Sequence, residues 1–394
     1  MTEWVEKNLE EIVKINPSES IKKGQVAKKV SMDKLQPNCR DIPGFEFEPY
    51  SGGAKFRNKD TIMARITPCL ENGKIAQVNI LDEGEIGFGS TEFLVFRARN
   101  GNDANFIYYL ISSPIVRDPA IKSMVGSSGR QRVQTDVVKK LRIKVPSLCE
   151  QEAIAGILKS LDDKISANNM INHNLQQQIK VLYANYFVDT FNTEWPEVPL
   201  SKLILFQEGP GIRNWQYVDD GVKFINIRCI NNGSIDISTA NKISREEAYG
   251  KYKHFLLEPY DIVMSCSGTL GRYAIVQEEH LPLCLNTSVI RFKPRQNDFD
   301  YSFVYGYMTS TEFLNRQLVM ANGSAQVNFG PTHLKQITIK EPPVELRKQF
   351  NYIVMPIINS MIAIRGESTK LALVRDALLP KLMSGEIDVS EVEI

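Results

Sequence analysis

The stretch SLCEQEAIAGILKSLDDKISANNMINHNLQQQIKVLYANY, residues 147–186, carries the strongest structural pattern in this 394-residue chain. It opens with Ser147 and Glu150 at the spacing of a capping box, so a helix is expected to begin there. The apolar positions that follow alternate spacings of four and three residues, the 3.5-residue period of a coiled coil. The predicted seam is Ile154, Leu158, Leu161, Ile165, Asn168, Asn172, Leu175, Ile179, Leu182 and Tyr186.

The same pattern returns 196 residues further along, which is about half the length of the chain. Identities at this offset include Ile143 with Ile339 and Pro146 with Pro342, so the second half is predicted to repeat the first. The polar Ser368 and Arg375 interrupt an otherwise apolar second seam. Its predicted members are Phe350, Val354, Ile357, Met361, Ile364, Leu371 and Leu378.

Each predicted helix has a single apolar stripe, so the two are expected to bury their stripes against each other as an antiparallel coiled coil. A helix of about 36 residues spans roughly 50–55 Å and could serve as a ruler between two domains. A plain dimerisation or scaffold hairpin would show the same seam. Asn168 and Asn172 either fix the register of the pair or lie beside a gap or water. Pro356 is expected to kink or restart the second helix.

Four segments follow from this repeat, and they predict an α+β fold with an internal pseudo-twofold repeat. Residues 1–146 and 193–342 are expected to form mixed α/β domains, while residues 147–192 and 343–394 form the helical spacer. Short apolar or alternating runs predict strands in both domains, for example at 75–80, 93–96, 224–227 and 288–292. Helices are predicted at 106–112 and 301–309, with aromatic side chains that belong to the core or stack on bases.

Several functional classes find no support in the sequence. No apolar stretch approaches the roughly 20 residues of a membrane span, and the first residues lack a signal-peptide pattern, so a cytoplasmic protein is expected. Six cysteines in such a chain fit reduced thiols. There is no zinc-binding or phosphate-loop motif, so no metal site, cofactor site or catalytic set is predicted in this chain. Any chemistry that it serves is expected to lie on another chain.

The net charge of +1 conceals a difference between segments. Residues 1–145 contain 23 Lys and Arg against 18 Asp and Glu, whereas residues 193–340 contain 15 of each. Such small charges cannot hold nucleic acid by electrostatics alone, because phosphate neutralisation supplies most nonspecific affinity. Tight DNA binding therefore requires a basic partner or a local cluster of cations.

Both domains contain clusters of cationic, amide and hydroxyl side chains, which suit phosphates and base edges. For each of these residues an ordinary solvated surface role is the alternative. The candidates in the first domain are Lys22, Lys23, Lys28, Lys29, Lys55, Arg57, Lys59, Ser127, Ser128, Arg130, Gln131 and Arg132. Those in the second domain are Arg213, Asn214, Lys251, Lys253, Ser265, Ser267, Arg272, Asn322, Ser324 and Gln326.

The order of these parts closely resembles the specificity subunit of type I restriction-modification enzymes. The segments that carry this resemblance are 146–154 (PSLCEQEAI), 161–165 (LDDKI), 378–387 (LLPKLMSGEI) and 60–74 (DTIMARITPCLENGK). The last of these looks like a recurrent segment of target-recognition domains. The resemblance covers nearly the whole chain.

The resemblance implies a noncatalytic subunit that reads an asymmetric, bipartite site on double-stranded DNA, with one target-recognition domain for each half. It also implies that the helices set the unspecified spacer and dock two modification subunits, which bind S-adenosylmethionine and methylate adenine. Restriction subunits that use ATP and Mg²⁺ can join such complexes. The rival interpretations are a duplicated protein-binding adaptor and an autonomous enzyme, and no nucleophile, base and metal set supports the enzyme.

Overall fold

The computed structural model describes residues 4–189, 194–231, 233–321 and 328–389. Within these ranges the chain forms two compact units that are not consecutive in sequence. Unit 1 is drawn from residues 1–167 and 368–394, and unit 2 from residues 168–367. Both boundaries fall inside long helices, so each unit contains a segment of both.

The described residues of the first half form ten short strands and four short helices, followed by one very long helix. The strands are β1 (Val5–Asn8), β2 (Val13–Ile15), β3 (Val26–Val30), β4 (Glu46–Pro49), β5 (Lys55–Phe56), β6 (Thr61–Ala64), β7 (Ile75–Gln77), β8 (Gly87–Gly89), β9 (Phe93–Ala98) and β10 (Arg142–Val145). The helices are α1 (Leu9–Ile12), α2 (Ala104–Ser112), α3 (Pro114–Lys122), α4 (Thr135–Lys139) and α5 (Leu148–Phe187).

The second half repeats this order with additional short elements. Its strands are β11 (Glu197–Pro199), β12 (Ile204–Glu208), β13 (Tyr217–Val218), β14 (Val222–Ile225), β15 (Ile230–Asn231), β16 (Ser234–Ile235), β17 (Asn241–Ile243), β18 (Ile262–Ser265), β19 (Tyr273–Ile275), β20 (Leu283–Leu285), β21 (Val289–Pro294) and β22 (Thr338–Lys340). Its helices are α6 (Leu200–Leu203), α7 (Arg245–Tyr249), α8 (Tyr301–Thr309), α9 (Thr311–Ala321), α10 (Pro331–Leu334) and α11 (Val344–Ser384).

The sheets show that the two halves are duplicates. Unit 1 has a four-stranded antiparallel sheet in the order β2-β9-β6-β7, and unit 2 has β12-β21-β18-β19 in the same arrangement. A mixed sheet accompanies each, β4-β3-β8-β5 in unit 1 and β13-β17-β14-β20 in unit 2, and each contains one parallel pair. The two-stranded pairs β1-β10 and β11-β22 also correspond. The predicted α+β class and internal repeat are confirmed.

The long helices are slightly longer than predicted, with 40 residues in α5 and 41 in α11. The amide of Glu150 donates to Ser147 Oγ at 3.4 Å, so the chain enters α5 with the predicted serine at its cap. Pro356 is predicted to kink or restart the second helix. The restart is wrong, because α11 continues through Pro356 without interruption, and the kink stays a prediction. Pro356 is exposed, and so is Tyr352, whose carbonyl loses its helical donor. Water can hydrate that carbonyl, so the missing hydrogen bond is tolerated.

The main core of unit 1 lies between its antiparallel sheet, α2 and segments of both long helices. Phe96 on β9 and Phe106 on α2 are at most 1% exposed. Leu158 near the start of α5 and Leu382 near the end of α11 belong to the same cluster. Because the start of one helix and the end of the other share this core, they run antiparallel within unit 1.

Unit 2 uses the opposite ends of the same helices. The ring of Phe187 on α5 lies 4.9 Å from that of Phe350 on α11 and 5.0 Å from that of Phe303 on α8. Helix α8 approaches closely because it carries Gly306, where a Cβ would lie 2.5 Å from Tyr183 Cδ2. These aromatic side chains are buried among themselves. The core interpretation of the aromatic residues at 301–309 is therefore the correct one.

Both halves contain an Asp-x-x-Met segment, at 60–63 and 261–264, and its aspartate is buried in each. In unit 1, Asp60 accepts the amide of Arg57 at 2.8 Å and two hydrogen bonds at 2.7 Å from Arg97 on the neighbouring strand β9. In unit 2, Asp261 accepts the amide of Glu258 at 2.8 Å and a hydrogen bond from Arg291 on β21 at 3.2 Å. Each aspartate thus caps a turn and holds a strand arginine.

Unit 1 extends this arrangement with a second carboxylate, that of Glu19. It accepts hydrogen bonds from Arg57 Nε at 2.7 Å and from Arg97 Nη1 at 2.6 Å, and its side chain is only 7% exposed. The hydrogen bond from Arg57, followed in importance by that from Arg97, lowers the pKa of Glu19 from the usual 4.5 to about 2. The network ties the loop after β2 to β9.

Glu19→Gln is expected to remove a pH-dependent part of the stability. A carboxyl whose folded-state pKa is lowered contributes fully above its unfolded value of 4.5, and this contribution is lost as the pH falls towards 2. We expect the free energy of unfolding of the variant to be lower by about 2 kcal/mol at pH 7. This value is smaller than the pKa shift alone implies, because Arg57 is partly exposed and solvent screens its interaction with Glu19. The difference should shrink steadily below pH 4.5, as measured by urea unfolding.

Glu83→Gln is the matched control, since Glu83 is an exposed glutamate in a loop of the same unit. Its stability should equal that of the unmodified chain at each pH. If the free energy of unfolding of Glu19→Gln is lower than that of the unmodified chain by the same amount from pH 7 to pH 3, the lowered pKa of Glu19 is contradicted.

Candidate nucleic-acid interface and helix pair

The strongest cluster of candidate residues in unit 1 is the loop between α3 and α4. The backbone of Arg132 forms bridges to both Val125 and Ile66, so this loop is a short hairpin joined to the segment after β6. The amide of Gln131 donates to Thr67 Oγ1 at 3.0 Å, and the amide of Thr67 donates to the carbonyl of Gln131 at 3.0 Å. Two predicted site residues, Gln131 and Arg132, are therefore hydrogen-bonded to a segment outside the predicted site.

A carboxylate organises the cations of this loop cluster. Arg132 Nη2 donates to Glu92 Oε1 at 2.7 Å, and Arg65 Nε donates to Glu92 Oε2 at 3.2 Å. The hydrogen bond from Arg132, with a further one from Arg65, lowers the pKa of Glu92. Arg130 is exposed at the tip of the loop. Arg65, Arg130 and Arg132 together outnumber Glu92, so the cluster carries a net positive charge.

Other predicted cations of unit 1 are already paired with carboxylates. Lys28 is 6% exposed and bonds to Asp82 and Glu85, at 2.9 Å each. Lys29 bonds to Glu48 at 2.8 Å. Arg57 bonds to Glu19 as described above. Each would have to leave or share its carboxylate before it could bind a phosphate, as Arg132 would have to share Glu92.

The remaining candidates of unit 1 are exposed, except for Lys55. The side chains of Lys22 and Lys23 are exposed in the loop between β2 and β3. Lys59 is exposed in a turn with a left-handed φ of 71°. Ser127 and Ser128 are exposed beside Arg130. Lys55 is half-buried, with its Nζ over the ring of Tyr50 and bonded to the carbonyl of Glu19.

Unit 2 contains the counterpart of the hairpin contact. Its backbone bridge joins Ser267, in the segment after β18, to Asn328. Ser267 and Asn328 occupy the positions of Ile66 and Arg132 in the repeat. The predicted residues Asn322, Ser324 and Gln326 lie outside the described residues. Both units thus join the segment after an equivalent strand to an equivalent loop.

Ser265 and Arg272 lie at the two ends of the turn between β18 and β19. Ser265 is buried, where its hydroxyl donates to the carbonyl of Thr269 at 2.6 Å and accepts from the amide of Arg272 at 3.0 Å. Its role is to close the turn. The side chain of Arg272 is exposed.

A second group of candidates in unit 2 surrounds an exposed tryptophan. Arg213 and Asn214 are exposed next to Trp215, whose side chain is 80% exposed. The buried Gln216 holds this turn in place by donating to Glu247 at 2.7 Å. Elsewhere in the unit Lys251 and Lys253 are exposed, and Lys251 lies over the ring of Tyr252.

The seam residues of the long helices are all at least half-buried. Those that are buried are Ile154, Leu158, Asn168, Asn172, Ile179, Phe350, Val354 and Met361. Those that are half-buried are Leu161, Ile165, Leu175, Leu182, Tyr186, Ile357, Ile364 and Leu371, with Leu378. The predicted seam omits the buried neighbours Asp162, Tyr183, Ile358 and Arg365. The buried face of a straight α-helix shifts gradually relative to a strict 3.5-residue period, so residues beside the predicted seam also become buried. The domains bury further residues on the same side of each helix.

The seam contains polar side chains with specific partners. In unit 1, Arg375 donates to Asp162 at 2.7 Å across the helix pair, and Tyr109 on α2 donates to the same carboxylate at 2.7 Å. In unit 2, Asn168 donates to Glu367 at 2.8 Å across the pair. The side-chain amide of the buried Asn172 has no hydrogen-bond partner among the described residues. Asn168 fits the register interpretation, whereas Asn172 fits the alternative of a site beside a gap or water.

The outer surfaces of the long helices expose large apolar residues. On α11, Tyr352 is 84% exposed and Leu373 is 65% exposed, followed by Val374 at 47%. On α5, Met170 and Val181 are 62% and 59% exposed. Such residues are costly in water when they have no partner. Within the described residues, no helix is both long and apolar enough to cross a membrane.

Comparison with known proteins agrees with this architecture. Residues 1–177 and 193–371 each match the family model of the type I restriction modification DNA specificity domain. The chain is 23% identical over 303 residues to the type I restriction enzyme MjaVIII specificity subunit of Methanocaldococcus jannaschii, covering 72% of this chain and 71% of that protein. It is also 23% identical over 433 aligned residues to the HindI specificity subunit of Haemophilus influenzae, covering 89% and 90% of the two chains.

A solved structure shares the fold. The S subunit of a type I restriction-modification system from M. genitalium superimposes with a TM-score of 0.52 at 15% identity, covering 97% of this chain and 96% of that chain. The family matches account for both halves of the duplication and for most of the chain. The chain therefore belongs to the noncatalytic specificity subunits of type I restriction-modification systems.

Proposed function

We propose that this specificity subunit reads an asymmetric, two-part site on double-stranded DNA, one part with the recognition domain of each unit. The observation that supports this most is the repeated loop contact, Ile66 with Arg132 in unit 1 and Ser267 with Asn328 in unit 2. The bridge joins equivalent positions in both units, while the loops differ in sequence, VGSSGRQRV at 125–133 and ANGSAQVNF at 321–329. Different side chains on one framework read different bases.

The chemistry of the unit 1 loop suits this role. Arg130 and Arg132 can bond to guanine or to phosphate, and Gln131 can bond to adenine. Glu92 holds Arg132 in a fixed orientation through a charge-assisted pair, so less side-chain freedom is lost on binding. The exposed Lys22, Lys23 and Lys59 are suited to phosphate contacts.

The second part of the proposal concerns partners. Two modification subunits dock on the exposed apolar surfaces of α5 and α11, bind S-adenosylmethionine and methylate adenine at N6 in the cytoplasm. Restriction subunits with ATP and Mg²⁺ join this complex, and this chain binds none of these cofactors. The lengths of α5 and α11 set the unspecified spacer between the half-sites. The small net charge of this chain supports a role for partner subunits in DNA binding, because a partner must then supply part of the contact with the phosphates.

The direct test compares N6-methyladenine across the genomes of two strains. One carries this chain with its modification subunit, and the other lacks only this chain. We expect a two-part motif with a fixed gap that disappears in the deletion strain, as read by single-molecule sequencing. Identical methylation in the two strains, with the modification subunit expressed in both, would favour the protein-binding adaptor instead.

Arg130→Ala combined with Arg132→Ala is expected to weaken DNA binding by the complex with the modification subunit. Loss of a base contact should cost about 1–3 kcal/mol and relax specificity at one position, whereas loss of a phosphate contact should lower affinity uniformly and reduce the salt slope. Fluorescence anisotropy with specific and single-substitution duplexes at several salt concentrations separates these outcomes. Arg142→Ala is the control, because Arg142 is also an exposed arginine paired with a glutamate, Glu6 at 2.7 Å. Equal affinities for both variants would contradict this assignment.

Leu373→Asp is expected to weaken assembly with the modification subunit, because it places a charge on the exposed apolar surface of α11. We expect at least a tenfold increase in the dissociation constant, about 1.4 kcal/mol, by analytical ultracentrifugation. Gln178→Asp, at an exposed polar position of α5, is the control with the same added charge. Unchanged assembly of Leu373→Asp would place the docking surface elsewhere.

A further inference from the structure

The seam of unit 1 contains a buried ion pair between the long helices. Arg375 Nη1 on α11 donates to Asp162 Oδ1 on α5 at 2.7 Å. Asp162 is 4% exposed and Arg375 is 8% exposed. Tyr109 donates to the other oxygen of Asp162, and Arg375 also bonds to Asp376 on its own helix. This is the only charged pair that crosses the helices with both side chains at most 10% exposed among the described residues of this unit.

The duplication supplies a natural comparison for this ion pair. At the offset of 196 residues, Asp162 corresponds to Ile358, Arg375 to Ile179 and Tyr109 to Tyr305. Ile179 and Ile358 are both 0% exposed and lie in the same core cluster of unit 2. One molecule thus contains two versions of a single seam position, ionic in unit 1 and apolar in unit 2.

The two versions are distributed unequally between the repeats. We call residues 1–187 repeat A and residues 194–384 repeat B. The helix of repeat A carries Asp162 in its first part and Ile179 in its second, whereas the helix of repeat B carries Ile358 and then Arg375. In each unit, the first part of one helix packs against the second part of the other. Pairing of A with B therefore gives one ion pair and one isoleucine pair.

Pairing of like repeats from two chains would give a different result. Two copies of repeat A would place Asp162 against Ile179 at both positions, without a cation across the seam. Two copies of repeat B would place Arg375 against Ile358 at both positions, where Arg375 retains only Asp376. A buried charge that loses its partner is strongly unfavourable, because little solvent is present to replace the partner.

We propose that Asp162 and Arg375 form a pairing code, which directs the helix of each repeat to the unlike repeat and excludes a like repeat of a second chain. The partner surface of each helix is thus specified by charge as well as by apolar shape. A duplicated chain needs such a code, since its two helices share most of their apolar seam and either could accept a copy of itself. The inference concerns partner choice within the seam and stands independently of the proposed DNA reading.

A simple stabilising role for the ion pair would make a different prediction. Loss of the pair would then lower stability without changing which helices associate. Exchange of the arginine and the isoleucine between the two units separates the ideas, because it keeps the amino-acid composition and reverses the code. In Ile179→Arg with Arg375→Ile, like repeats satisfy every charge and unlike repeats leave two charges without a partner.

The experiment measures the mass of the full-length chain by size-exclusion chromatography with light scattering, across a range of concentrations. We expect the unmodified chain to have the mass of one chain, and the exchange variant to have the mass of two or more chains at concentrations where the unmodified chain does not associate. Helix content by circular dichroism should be unchanged. An exchange variant with the same mass as the unmodified chain at every concentration would overturn the proposal.

A second variant covers the case in which the exchange variant merely misfolds. Adding Asp162→Ile and Ile358→Asp to the exchange variant moves the whole ion pair to the equivalent position of unit 2. Pairing of unlike repeats is then again the only arrangement that satisfies both charges, so the mass of one chain should return. If the four substitutions fail to restore that mass, the charges do not select the partner and the proposal is wrong.

Discussion

The single apolar stripe on each long helix is the constraint on which the rest of the structure depends. Helices of 40 and 41 residues that are apolar on one side cannot bury that side alone. In unit 1 the start of α5 is buried with the end of α11, and in unit 2 the end of α5 is buried with the start of α11. Each recognition domain adds its own helix to this core, α2 in unit 1 and α8 in unit 2. The domains are therefore built on the helix pair and share its core.

Within each domain, carboxylates hold arginine side chains in fixed positions. Asp60 and Asp261 cap equivalent turns and hold strand arginines, and Glu92 holds Arg65 and Arg132 at the edge of the candidate interface. A guanidinium that is already oriented loses less freedom when it binds a phosphate or a base. In the proposed DNA complex, Glu92 would also compete with DNA for Arg65 and Arg132. A chain with a net charge of only +1 can thus present a local positive cluster.

Divergence between the two repeats is as informative as their similarity. The equivalent loops in the two units share a backbone bridge and differ in side chains, which suits two recognition domains with different targets. The seam shows the same principle at one position, where Asp162 and Arg375 in unit 1 replace the two isoleucines of unit 2. The backbone and most apolar positions are shared between the two repeats, while the side chains at particular loop and seam positions differ.

The sequence by itself determined the duplication, the paired helices, the α+β domains and the family. These properties are encoded in local periodicity and in motifs that a single chain displays twice. Tertiary structure alone decided which candidate cations are paired with carboxylates. Lys28, Arg57 and Arg132 meet Asp82, Glu19 and Glu92, partners 54, 38 and 40 residues away in sequence, and Asp162 meets Arg375 across 213 residues. Such pairs depend on how strands and helices pack, and no local pattern in the sequence encodes that packing.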